Sequence, residues 1–271
     1  MIDLAHAMRI ALAAALEASD LVMHVQKSGF AVDYKAADDP VTRADRESNA
    51  LLCDRLGAAF PGVPLVAEES DPHAYAGFAA SDAAWFIDPL DGTREFVAGN
   101  GEFAVMIGLA RAGRAVLGVI VAPAWNRAFA GIVDDGAWEV RRDGSKVPIH
   151  VSGRTSLQGA SIVVSRSRTP SRLGALLSGN SSSTVVVHGS SGLKAALVAT
   201  GTHDVYFQRA PAGMRWDACA SEALVEAAGG TCSTLDGARI DYASGELVNS
   251  RGLLASNGLL HEKVIEALRA G

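Results

Sequence analysis

Cysteine is scarce in this chain. Cys53, Cys219 and Cys232 are the only three, scattered and without C-x-x-C spacing, which argues against a disulfide framework or a cysteine zinc site; buried thiols in a reducing, cytoplasmic setting are expected instead. Basic residues are in deficit, 24 against 30 acidic, for a formal net charge of −6. No long-range field therefore draws in a nucleic acid polymer or an anionic membrane, and any phosphate must be held by local contacts. No uncharged apolar run reaches the length of about 18 residues that a membrane span needs. The opening stretch also lacks the basic start and unbroken apolar middle of a signal peptide, since Glu17 and Asp20 interrupt it. The histidines show no H-x-x-x-H spacing, and no internal repeat is visible.

What is present is a globular composition: 271 residues, 49% hydrophobic and 20% charged, enough for one large domain or two smaller ones. The spacing Leu4, Met8, Leu12, Leu16 predicts an amphipathic helix ending near Gly29. A loop over "DDPVTRAD", a second helix stopping before Pro61, and a short strand from Val63 to Ala67 follow. "AAWFI" and the runs from Glu102 to Val151 read as an antiparallel meander joined by glycine-containing turns. From Ser161 onward, short strands ("SIVVS", "TVVVH", "HDVYF", "LLASN") alternate with helical stretches, an α/β pattern. We place the boundary near residue 150, giving an α+β unit over 1–150 and an α/β unit over 151–271.

Four acids stand where apolar runs stop: Glu68, Asp88, Asp91 and Asp217. In "DPLDGT", Asp88 and Asp91 flank a proline, and a type I turn there would hold the ends within about 7 Å. Two carboxylates so close either raise each other's pKa or recruit a cation. Each acid alone also has a plain reading, Asp217 as a helix cap for instance, so only convergence would make the set functional. Oxygen ligands without histidine or cysteine suit Mg²⁺ or Mn²⁺, and two such ions about 3.5–4 Å apart clamp a phosphoryl group and activate water. Gly92 and Thr93 would add backbone N–H groups for the phosphate. Asp45 in "DPVTRAD" is placed to take a proton from Thr93, or else is a surface helix acid. The sequence Ser191-Gly-Leu-Lys194 spells S-x-x-K, but no K-T-G or S-D-N accompanies it, which disfavours a serine acyl-transfer reading.

"DPVTRAD", "VAEES", "DPLDGTREF" and "WDACASEALVEAAGG" occur in the order and spacing of the lithium-sensitive, Mg²⁺-dependent inositol monophosphatase superfamily, which the chain resembles over nearly its whole length. "DGTREF…NGEF", with a basic residue after Asp-Gly-Thr, and "SRSR…GSSGLK" resemble the 3′(2′),5′-bisphosphate nucleotidase (CysQ-type) branch. The resemblance implies a layered αβαβα sugar-phosphatase fold holding two or three Mg²⁺ ions, with Mn²⁺ as a substitute. It implies Glu68, Asp88, the Leu90 carbonyl, Asp91 and Asp217 as metal ligands, and Thr93 with Asp45 as the pair that orients and deprotonates water, beside Glu68. Leu90, Asp91, Gly92 and Thr93 would touch the cleaved phosphate with Asp217, while Ser165, Arg168, Ser190 and Lys194 would contact the nucleotide. Arg168 stands where many such nucleotidases have histidine. The implied activity is removal of the 3′-phosphate from adenosine 3′,5′-bisphosphate, with its phosphosulfate counterpart as a second substrate. The alternatives are an inositol or other sugar monophosphatase with the same metal centre and, from another class, a non-catalytic phosphate- or Mg²⁺-binding regulator. A homodimer is left open.

Overall fold

The computed structural model describes residues 2–37, 39–166 and 183–270. Helix α1 (Leu4–Ser28) starts at an Asp3 cap, whose carboxylate accepts from the Ala5 and His6 N–H groups, and ends at Gly29 with φ +82°. Its buried face is the alanine stripe Ala7, Ala11, Ala14, Ala15 and Ala18 with Val22 and Val25. The leucines that the spacing singled out, Leu4, Leu12 and Leu16, sit half-buried at its edge. Small side chains let the helix lie close to α2 (Arg43–Ala59) and to the sheet beneath.

That sheet has seven strands, β3 (Leu65–Ala67), β4 (Ala83–Asp91), β5 (Ala104–Arg111), β6 (Arg114–Ala122), β7 (Arg127–Ile132), β8 (Gly136–Val140) and β9 (Lys146–Pro148), in sequence order. Only the β3–β4 pair is parallel. Both faces are covered. Trp85, Ile87, Val105 and Ile107 face α1 and α2, whereas Phe86, Met106 and Ile120 face the opposite way, so the strands read as near-continuous apolar runs. Ahead of this sheet, β1 (Val32–Ala36) and β2 (Asp39–Thr42) pair as a hairpin where the sequence suggested a loop.

The second sheet has the order β11 (Thr184–His188), β10 (Ser161–Ser165), β12 (Val205–Gln208), β14 (Leu253–Ser256), β13 (Thr231–Ser233). It is mixed: β10 pairs in parallel with β11 and β12, while β14 is antiparallel to β12 and β13. The three-residue β13 has too little pattern to have been anticipated. Helices α4 (Ser191–Ala199) and α5 (Arg215–Ala227) fill the space between the sheets, and α6 (His261–Ala270) packs on the far side of the second sheet through Val264 and Ile265. The order of layers is therefore helix, sheet, helix, sheet, helix.

One local expectation is corrected. Asp88 to Asp91 is not a turn that leaves the strand. It stays in β4 as a bulge, with Asp88 opposite Met106 and Asp91 opposite Ala104. Pro89 has no N–H to give the ladder, and the Leu90 N–H is satisfied instead by Asp88 Oδ1 at 3.0 Å. Gly92, at φ +95°, then turns the chain into the short helix α3 (Thr93–Ala98).

Candidate active site

The bulge puts two carboxylates at the C-terminal end of β4, and a third comes from α5. Asp217 is not the cap of that helix. Met214 holds that position, and Asp217, three residues on, accepts the Met214 N–H at 2.5 Å. Carboxylate oxygens of Asp88, Asp91 and Asp217 lie within 4.8 Å of one another. Burial pushes Asp88 well above the ordinary carboxylate range, with Glu68, Asp91 and Asp217 adding repulsion. Burial and the Asp91 charge likewise push Asp217 up to about 6. Three crowded, sheltered acids cannot all ionise without a cation. Their all-oxygen character suits a hard divalent ion such as Mg²⁺.

Glu68 follows β3, its N–H bonded to the Ile87 carbonyl at 3.1 Å, and lines the same cavity. Its carboxylate accepts from Lys35 of the β1–β2 hairpin at 3.1 Å, and Glu69 accepts from the same ammonium. Burial raises Glu68 to about 8 against the opposing pull of Lys35. Lys35 was not singled out from the sequence; it is 33 residues from Glu68, and only the hairpin brings them together.

Asp45 lies on α2, where its Oδ2 accepts the Thr42 N–H at 2.7 Å and the Thr42 hydroxyl at 2.6 Å. Its Oδ1 accepts from the Thr93 hydroxyl at 2.8 Å, across 48 residues. Burial raises the Asp45 pKa, partly offset by the bonds from Thr42 and Thr93. The reading of Asp45 as an exposed helix acid is thus excluded, since it is 2% exposed.

These groups surround a cavity of about 350 Å³, lined also by Leu90, Gly92, Ser165, Ser190 and Lys194. Of the expected substrate contacts, Ser190 donates its hydroxyl to Asp91 Oδ2, which also accepts the Gly192 N–H at 2.7 Å. Lys194 is 1% exposed. Its ammonium donates to the carbonyls of Gly189 at 3.1 Å and Ser190 at 2.5 Å, so it braces the turn before α4 from within. Arg168 lies outside the described residues. Arg94 and Arg166 also line the cavity. Both stand in stretches that carried the resemblance, Arg94 as the basic residue after Asp-Gly-Thr and Arg166 within "SRSR", although neither was singled out as a substrate contact.

Residues 3–271 match the model of the inositol monophosphatase family. The 3′(2′),5′-bisphosphate nucleotidase CysQ of Escherichia coli (strain K12) is 34% identical over 245 residues, covering 89% of this chain and 96% of that protein. Its counterpart from Salmonella typhimurium is 34% identical over 235 residues, covering 86% and 92%. Among solved structures, the extragenic suppressor protein suhB from Bartonella henselae superposes with a TM-score of 0.84 at 25% identity, covering 98% of this chain and 99% of that one. An inositol monophosphatase from Anabaena gives 0.80 at 29% identity, covering 99% and 97%. Among the described residues no helix is long and apolar enough to cross a membrane. With the layered fold and the acidic cluster in place, the match over nearly the full chain establishes that this protein is a hydrolase of the inositol monophosphatase family, on its CysQ branch.

Proposed function

We propose that the protein is a Mg²⁺-dependent phosphomonoesterase that removes the 3′-phosphate of adenosine 3′,5′-bisphosphate, leaving AMP and phosphate. The observation that carries the hydrolytic reading is the 2.8 Å bond from Thr93 to Asp45 beside the Asp88, Asp91 and Asp217 cluster. A regulator that only bound phosphate or metal would have no use for it. The nucleotide reading is supported by the activity named for the CysQ relatives.

Asp88, Asp91, Asp217, Glu68 and the Leu90 carbonyl would hold the divalent ions. Such ions, when bound, supply Lewis acidity toward the phosphoryl oxygens and lower the pKa of water. Asp45 takes the Thr93 proton, which leaves the Thr93 oxygen facing the cavity as an acceptor. That oxygen orients the attacking water and receives its proton as Asp45 accepts the one from Thr93. The N–H groups of Gly92 and Thr93, which line the cavity, would serve as donors to the departing phosphate, and Ser190 with Gly192 fixes the direction of Asp91.

A panel of phosphate esters assayed with Mg²⁺ tests this. The highest kcat/KM is expected for adenosine 3′,5′-bisphosphate, and activity should vanish in excess chelator. Faster turnover of inositol 1-phosphate would remove the nucleotide reading while leaving the metal chemistry. Activity that survives chelation would remove the metal chemistry as well.

A further inference from the structure

Asp217 takes its direction from the backbone just before it. Its Oδ2 accepts the Met214 N–H at 2.5 Å, and Gly213, at φ +75°, stands so close that an added Cβ would strike the same oxygen. The carboxylate is therefore fixed only as well as residues 212–215 are fixed. Those residues belong to the irregular connection from β12 into α5, where the main chain has few regular partners of its own. Asn249, from the stretch leading into β14 and 35 residues from Met214, supplies them. Its Nδ2 donates to the Met214 carbonyl at 2.6 Å and to the Ala212 carbonyl at 3.3 Å. Its Oδ1 accepts from the Arg215 guanidinium. Its own N–H donates to the Gly213 carbonyl at 2.9 Å, and its carbonyl accepts the Ala212 N–H at 3.0 Å. One residue, 2% exposed, thus touches each of the four.

We propose that Asn249 is a positioning residue for the acidic cluster: its side-chain amide fixes the loop that aims Asp217 and so sets the affinity for the divalent ion. The inference rests on the reading above of Asp217 as a metal ligand. The two main-chain bonds at position 249 are open to almost any residue. The side-chain bonds are not, because they need a donor toward two carbonyls and an acceptor toward a guanidinium, which an amide offers and a carboxylate of the same shape does not. An ionised aspartate there would keep Arg215 and turn an oxygen against the Met214 and Ala212 carbonyls, in a place with no water to relieve the clash of acceptors. Arg215 extends the clamp into the helix. Its guanidinium lies 5.9 Å from the centre of the Tyr242 ring, and the Tyr242 hydroxyl donates to Glu222 farther along α5 at 2.7 Å. Partners that orient a metal ligand are worth about tenfold to a hundredfold in metal affinity, although Asn249 itself never reaches the cavity lining.

The test is calorimetric titration of the full chain with Mg²⁺ alone, beside melting curves with and without the ion. Asn249→Asp should raise the Mg²⁺ Kd about tenfold or more and shrink the Mg²⁺-dependent rise in melting temperature. Val264→Ala is the control for general destabilisation, since it removes buried methyl groups from α6 on the far side of the second sheet. It should melt earlier in chelator and keep the wild-type Kd within twofold. A Kd within twofold of the wild type in Asn249→Asp, with Asp217→Asn weakened, overturns the positioning role and leaves Asp217 as a ligand. An equal rise in Val264→Ala overturns it as well, because the effect would then be one of stability. Wild-type affinity in Asp217→Asn overturns the metal reading of Asp217 and the clamp with it. Should Asn249→Asp not fold, Asn249→Ser, which keeps both main-chain bonds and removes the amide, is read by the same measurements against the same limits.

Discussion

Thr93 has one proton and two acceptors within reach, Asp45 Oδ1 at 2.8 Å and the Leu90 carbonyl at 3.2 Å. The shorter contact runs to a carboxylate whose burial raises its pKa, and a charged acceptor makes the stronger bond. The proton therefore rests toward Asp45, and the Thr93 oxygen is left as an acceptor for water. Thr93→Ala should lower kcat by about a hundredfold, the lower range of general acid–base contributions, while Mg²⁺ affinity measured by calorimetry stays within a factor of three. Thr93→Ser, which keeps the hydroxyl, should recover most of the loss. Equal rates for Thr93→Ala and the wild type would take the hydroxyl out of the mechanism. The chemistry-bearing residues were legible at this scale because their types are so restrictive: acids at strand ends next to Asp-Gly-Thr leave few uses. Their partners were not. Lys35, which meets Glu68 and Glu69, is an ordinary residue that gains meaning only through distant contacts, and Ser190, expected only as a nucleotide contact, also meets Asp91.

Asp217 reaches the cluster only because α5 lies very close to the first sheet. Gly108, Gly118 and Gly131 stand side by side on β5, β6 and β7, and together they clear a channel for the helix. A Cβ added at Gly118 would meet the Ala220 carbonyl oxygen at 2.3 Å, and one at Gly108 the Ala220 nitrogen at 2.6 Å. Backbone atoms cannot rotate aside, so Gly118→Ala must push the helix out. The expected cost is about 1–3 kcal/mol of stability, measured by urea denaturation, with a larger loss of activity because Asp217 moves with the helix. Single strands gave no hint of this ladder, since glycine in such runs reads as turn punctuation and the alignment exists only across three strands. The same helix carries Glu222, 1% exposed, which accepts from the Tyr242 hydroxyl at 2.7 Å with Arg114, Arg215 and Glu226 nearby. Burial lifts its pKa from 4.5 to about 8. The folded protein then keeps a proton that the unfolded chain has already lost, so this carboxyl lowers stability progressively as pH rises from about 4.5 to about 8 and no further above that. Glu222→Gln keeps an acceptor for Tyr242 and has no proton to lose. Its melting temperature should exceed that of the wild type most at about pH 8, with the gap closing toward pH 5; a gap that is flat with pH would mean Glu222 is ionised in the fold.

At the scale of the molecule, most of the order of elements was readable because it is carried by apolar periodicities, whereas the layered plan was implied by the resemblance that the motifs carry. The details that failed were those set by contacts between segments: the bulge that replaces a turn at Pro89, the β1–β2 hairpin, and the edge strand β13. The acidic cluster itself spans the architecture. Asp88 and Asp91 belong to the first sheet, Asp217 to a helix between the sheets, and Asp91 is tied through Ser190 and Gly192 to the start of α4. Repulsion among these acids opposes folding, and burial keeps water from screening it. A divalent cation that binds the folded cluster and not the unfolded chain should reverse the sign of that contribution, stabilising by about 2.7 kcal/mol at a concentration one hundred times its Kd. The melting temperature should therefore rise with Mg²⁺ and fall in excess chelator, and the shift should grow with the logarithm of Mg²⁺ concentration once above Kd. Asp217→Asn removes one of the mutually repelling charges. It should melt above the wild type in chelator but show a much smaller Mg²⁺-dependent shift, so that the two curves cross as Mg²⁺ is added. Parallel curves for the two proteins would mean that the ion binds somewhere that Asp217 does not reach.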